Sequence, residues 1–157
     1  MPHRLLLARG EFRRAFATRM SEWCNAIIMF GWGAILLLPD TLFAGPSWSF
    51  FTQLAREEVI GAACVTLGAM RLLVLAVNGA WRPMYHLRSA TATLSLTFWF
   101  AITIGFAGSG RISTWLAVYP VLFVFDGINA LRAAGDAARV DRSVEAMHKA
   151  MADGRGA

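Results

Sequence analysis

Two charges lie deep inside apolar stretches of the chain: Arg71 within residues 59–81 and Asp126 within residues 114–134. An arginine near the midplane of a bilayer costs about 2.5–3.5 kcal/mol, so such a residue faces a partner or water rather than lipid. Asn78 follows Arg71 by seven residues and Asn129 follows Asp126 by three, which keeps each amide close to the helix face of its charge. Tyr119, seven residues before Asp126, adds a hydroxyl to that face. A desolvated guanidinium–carboxylate pair with amide partners can do one of two things. It can fix helix register as a structural clasp, or it can pass protons or ions as a relay. A relay asks for a further titratable group, and the apolar stretch 90–109 supplies none. The clasp is the expected role.

No other constellation carries chemistry. His3, His86 and His148 lie outside the apolar stretches, and His86 has no second histidine or carboxylate at ligand spacing, so neither a metal nor another cofactor is expected. A glycine-rich phosphate loop and a nucleophile elbow are both missing, as is any Ser/His/Asp set at one depth. The chain is therefore expected to be non-enzymatic.

The elements that must position the charged pair follow from composition. Of 157 residues, 57% are hydrophobic and 16% charged, and the apolar residues come in long runs rather than periodic stripes. This predicts an all-α polytopic membrane protein with four transmembrane helices at 23–39, 59–81, 90–109 and 114–134. A basic cytoplasmic arm, 1–22, precedes them and a helical cytoplasmic tail, 135–157, follows. The first span is short for a bilayer that asks for about 20 residues. Between the first two spans, Phe43, Trp48, Phe50 and Phe51 predict a short interfacial helix from Ser47 with its rings at headgroup level. The third span carries Thr91, Thr93, Ser95, Thr97 and Thr103, of which Thr93 and Thr97 stack four apart on one face, as helix-packing hydroxyls or as a pore lining. In the fourth span Pro120 is placed to kink the helix early.

A net charge of +5 would suggest nucleic acid in a soluble chain, but 14 of the 15 basic residues are arginines, and apart from Arg71 they cluster outside or at the ends of the apolar runs. That is an orientation signal, and no nucleic-acid partner is expected. With both termini inside, the cytoplasmic side holds twelve basic residues and the outer side only Arg56 and Arg111. Both spans that carry a charge then run from outside to inside. Arg71 lies twelve residues after Val59 and Asp126 twelve after Thr114, about 18 Å in at 1.5 Å per residue, so the two charges share one depth. Cys24 and Cys64 fall near opposite ends of different spans, which argues against a disulfide. Leu42, at the −3 position for cleavage after Ala44, argues against a signal peptide.

Arg71–Leu72, the run Asn78–Arg82 (NGAWR) and the run Tyr119–Ala137 (YPVLFVFDGINALRAAGDA) resemble the small four-span membrane proteins of unknown function encoded in tailed-phage genomes and prophages. The resemblance covers roughly residues 28–138 and implies a phage-related source and an inner-membrane location; it carries no mechanism. The expected partners are the lipid bilayer and either further copies of the chain or a host or virion membrane protein. The alternatives are a holin-like pore former and a small ion-conducting or transport subunit.

Reporter fusions test the orientation. Fusions after residue 45 and within 109–112 should report outside, and fusions within 82–88 and after 140 inside. A tail that reports outside would overturn the charge count and remove the depth match between Arg71 and Asp126.

Overall fold

The computed structural model of the chain describes residues 19–40, 42–80, 84–112 and 114–153. Most of the predicted basic arm lies outside the described residues, as do positions 81–83 of the second connector and 154–157 of the tail. Every regular element described is helical: α1 (Met20–Leu36), α2 (Ser49–Leu54), α3 (Glu57–Ala80), α4 (Tyr85–Gly108) and α5 (Trp115–Asp153), with 3-10 turns at Leu42–Ala44 and Pro46–Trp48. Three of them, α3, α4 and α5, are long and apolar enough to cross a membrane. At 17 residues, α1 is apolar and shorter. Its length is about 26 Å against a hydrocarbon core of about 30 Å.

Two boundaries differ from expectation for physical reasons. Helix α4 starts at Tyr85 rather than at residue 90, because its first turn is held inside the bundle by the buried Arg88. Helix α5 does not pause at Ala134. It runs unbroken for 39 residues, since between Ala134 and Asp153 the chain offers one glycine and no proline to stop it. Pro120 sits six residues into α5, and the helix continues through it.

The helices form an up-down-up-down bundle in which α1 neighbours α3, α3 neighbours α4, α4 neighbours α5, and α5 closes against α1. The α1–α3 seam is built on glycine. A Cβ on Gly68 would meet the backbone nitrogen of Phe30 at 2.6 Å, and one on Gly33 would meet that of Val65 at 2.6 Å. The register, with 30 opposite 68 and 33 opposite 65, makes the two helices antiparallel. The α4–α5 seam is aromatic: Phe100 lies 5.5 Å from Phe123, and Phe106 lies 6.2 Å from Trp115. Trp99, fully buried, sits in the centre of the apolar core with Met29 and Cys64.

One end of the bundle is plugged by residues 42–54. The rings of Trp48 and Phe51 lie 4.9 and 5.1 Å from that of Phe106, and Phe43 stacks on Trp48 at 5.0 Å. Glu57, in the first turn of α3, ties the plug down by accepting from the backbone N–H of Leu42 and of Phe43, each at 3.2 Å. The aromatic residues expected as a headgroup belt therefore divide. Phe51 is buried and Trp48 and Phe43 are half-buried as a cap on the core, while Phe50 keeps an outward face. Ring stacking against the open end of a helix pair buries more apolar surface than lying flat on the bundle's outside would.

The glycine seam yields a paired test. Gly68→Ala forces the α1 and α3 backbones apart and is expected to lower stability by about 1–3 kcal/mol. Gly31→Ala, where an added Cβ meets nothing within 4 Å, should be neutral. Thermal unfolding in detergent separates the two, and equal effects would contradict the seam.

Candidate functional site

Helix α3 turns one stripe inward: Ile60, Cys64, Leu67, Arg71 and Val74 are all buried, at spacings of three and four. The inward stripe of α5 reads Tyr119, Leu122, Asp126, Asn129 and Ala133, and that of α4 reads Arg88, Thr91, Ser95, Trp99 and Ile102. Arg71, Ser95 and Asp126, one from each stripe, fall at one level on the bundle axis.

Arg71 and Asp126 pair through both ends of both groups. Nη1 of Arg71 donates to Oδ2 of Asp126 at 2.7 Å and Nη2 to Oδ1 at 2.5 Å, with side chains 2% and 0% exposed. Helices α3 and α5 lie across the bundle's diagonal and are not close neighbours. The long arginine stem is what spans the gap, and its planar fork gives the bidentate fit that a lysine could not. Two further donors complete the carboxylate: Ser95 Oγ to Oδ2 at 2.5 Å, and Asn129 Nδ2 to Oδ1 at 3.3 Å. Asn129 in turn accepts from Ser21 Oγ of α1 at 2.8 Å. All four long helices thus meet at one carboxylate, directly or through a single amide.

Of the polar residues singled out in the sequence, the structure brings together Arg71, Asp126 and Asn129 and leaves two elsewhere. Asn78 accepts from the backbone N–H of Met84 at 3.0 Å and so fastens the end of α3 to the start of α4. The Tyr119 hydroxyl accepts from Trp32 Nε1 at 2.9 Å, and its ring stacks on Trp99, Phe106 and Trp115. It belongs to the aromatic core. Thr93 and Thr97 face outward and donate to the carbonyls of Ser89 and Thr93 on their own helix. The inward hydroxyls are those of Thr91 and Ser95.

A second ion cluster escaped the sequence reading. Arg88 donates to both oxygens of Glu22, through Nε at 2.9 Å and Nη2 at 2.6 Å, and through Nη1 to Asp136 at 2.7 Å. Arg88 and Glu22 are buried. Glu22 and Asp136 fall in the predicted arm and tail, and Arg88 between the second and third predicted spans, because all three flank the apolar runs. Their signal was periodicity: Arg88 continues the α4 stripe of Ser95 and Trp99 by two more turns, through Thr91, and Asp136 lies seven residues beyond Asn129. Further out, the exposed His86 meets Asp141 at 3.0 Å, a carboxylate partner that sequence spacing did not offer.

What this arrangement can do follows from its saturation. An ionised carboxylate has about four acceptor sites, and Asp126 accepts four hydrogen bonds from three side chains. Among the described residues the buried side-chain polar atoms without a partner are Arg19 Nη1, Asn78 Nδ2 and Trp99 Nε1, none of them in the Asp126 cluster. Among the same residues no group of three His, Cys, Asp or Glu could hold a metal ion. Both cysteines are free, Cys24 exposed and Cys64 buried.

The hydroxyl inventory gives a direct check. Ser95→Ala removes a hydrogen bond to a buried charge and should cost about 1.5–3 kcal/mol. Thr97→Ala removes only a bond to its own helix on the outer face, and its effect on thermal unfolding should stay within about 0.5 kcal/mol. Comparison of the chain with protein-family models, with curated proteins and with solved structures found no match in any of the three.

Proposed function

We propose that the chain is a non-enzymatic, four-span integral protein of the bacterial inner membrane. In this reading α1 is the fourth span, both termini are cytoplasmic, and the protein works by presenting helical surface to protein partners. The observation that carries the reading is the saturated Asp126 cluster. A carboxylate whose lone pairs are committed to Arg71, Ser95 and Asn129 has no site left for a passing ion, and it closes the bundle axis at the level where a conduit would have to be open. Work done by this protein is then done on its outside.

The far end of α5 supplies such a surface. Residues 141–152 are exposed on every side, and Val144, Met147 and Met151 recur along them at spacings of three and four. An apolar stripe on an otherwise solvated helix suits the groove of a partner helix. The phage or prophage source implied by the short resemblances at Asn78–Arg82 and Tyr119–Ala137 belongs to the same proposal, with a host or virion membrane protein as partner.

A holin-like pore is the second reading, and one observation favours it: Thr93 and Thr97 lie on the outer face of α4, where they could line a channel formed between copies of the chain. Induced expression with continuous recording of membrane potential and culture density separates the two. The partner-binding protein leaves both unchanged. Sudden loss of potential followed by lysis would establish the pore, and graded leakage would establish a transport subunit.

A further inference from the structure

The Arg88 cluster opens on one side into a basin of about 330 Å³ bordered by Arg19, Glu22, Arg88, Arg132, Asp136 and Arg139. Four guanidiniums against two carboxylates leave a surplus of two positive charges. Arg88 is already satisfied by Glu22 and Asp136, so the surplus resides on the other three arginines. Nη1 of Arg19 is buried without a hydrogen-bond partner. Arg132 has no partner among the described residues, and Arg139 stands 3.9 Å from Asp136 with its side chain 74% exposed. Burial, with the charge of Arg88 adding to it, pushes the pKa of Arg19 below its ordinary value. Three under-used guanidiniums around one recess match the oxygens of a phosphate, which accepts bidentate arginine contacts from several directions.

A second opening lies along the same seam. Between α1 and α5, an apolar groove of about 360 Å³ is lined by residues that include Cys24, Ile28, Leu122 and Phe125. Along α5 the groove and the basin share one face: Leu122, Phe125, Asn129, Arg132, Asp136 and Arg139 follow one another at spacings of three and four. Along α1 the groove begins at Met20, directly after Arg19. The seam therefore offers a cationic pocket at the bundle's end and an apolar slot leading from it toward the middle. A free phosphate would use the first and leave the second empty.

We propose that the α1–α5 seam binds an anionic phospholipid, with its phosphate among Arg19, Arg132 and Arg139 and an acyl chain in the groove bordered by Ile28 and Phe125. The placement of the basin at the cytoplasmic headgroup level rests on the four-span reading; basic pockets between membrane helices on that side suit anionic headgroups.

The test uses the full chain purified in detergent and titrated with dioleoyl phosphatidylglycerol, with dioleoyl phosphatidylcholine, or with sodium phosphate, with retained lipid counted by native mass spectrometry and the unfolding midpoint followed in parallel. Phosphatidylglycerol should be retained and should raise the midpoint, whereas the other two should not. The double variant Arg132→Gln/Arg139→Gln leaves the buried ion pairs intact and should weaken phosphatidylglycerol binding by about tenfold or more per arginine. Cys24→Phe, which fills the groove, should weaken it with the basin untouched. Equal stabilisation by sodium phosphate would assign the basin to a soluble anion and overturn the lipid. Equal retention of phosphatidylcholine, or wild-type binding by the arginine variant, would overturn the headgroup contact. Carbonate extraction of cell membranes distinguishes the two levels of failure: a chain released from the membrane fails the four-span reading, and a chain retained without lipid preference fails only this proposal.

Discussion

The structure depends on the cost of holding one carboxylate out of water. Asp126 is fully buried on the axis of the bundle, and a buried ion is tolerated only when its lone pairs are taken up by donors in good geometry. At the level of Asp126 the neighbouring α4 presents a serine and α1 carries no cation, so the chain brings a counter-charge across the diagonal from α3. Once Arg71 and Asp126 must meet, the depth of α3 relative to α5 is set. Ser95 then has to lie on the inner face of α4, and Ser21 at the start of α1 has to reach Asn129. Apolar packing alone permits neighbouring helices to slide by a turn with modest loss. A four-bonded carboxylate does not.

Other features operate at different levels of the same bundle. The Arg88 cluster joins the starts of α1 and α4 to the middle of α5, where the apolar stretches give way to charge. At the opposite end the aromatic plug of Phe43, Trp48 and Phe51 closes on Phe106. Between these levels, Gly33 and Gly68 let α1 and α3 approach until backbone meets backbone, which adds dispersion contacts along the seam. The α1–α5 seam lacks such glycine contacts and carries a groove instead, on the side of the bundle where Arg19, Arg132 and Arg139 gather.

Much of this was legible in the residues and some was not. Long apolar runs predict helices of membrane-crossing length, and three of the described helices have that length and character. Counting twelve residues into two stretches brings Arg71 and Asp126 to one depth, and the two side chains are in contact. The identity of the remaining partners was out of reach, because depth counts order residues along a helix and say nothing of its rotation. Asn78 and Tyr119 share helices with the charged pair and turn to other neighbours, Met84 and Trp32. Ser95 was one hydroxyl among several on α4, and only the packing of the other helices determines that it faces inward while Thr93 and Thr97 do not. Glu22, Arg88 and Asp136 flank the apolar runs, yet the helices extend past those runs, burying Glu22 and Arg88 and holding Asp136 half-buried against them.

The most direct measurement is the coupling between Arg71 and Asp126 in a double-mutant cycle, read as free energy of unfolding in detergent for Arg71→Leu, Asp126→Leu and the pair. Each single change strands a charge in a poorly solvated core and should cost about 3–5 kcal/mol, while the double change removes both charges and should recover most of that loss. Additive costs would mean that the two side chains do not hold each other, and would contradict the account of the bundle as organised around Asp126.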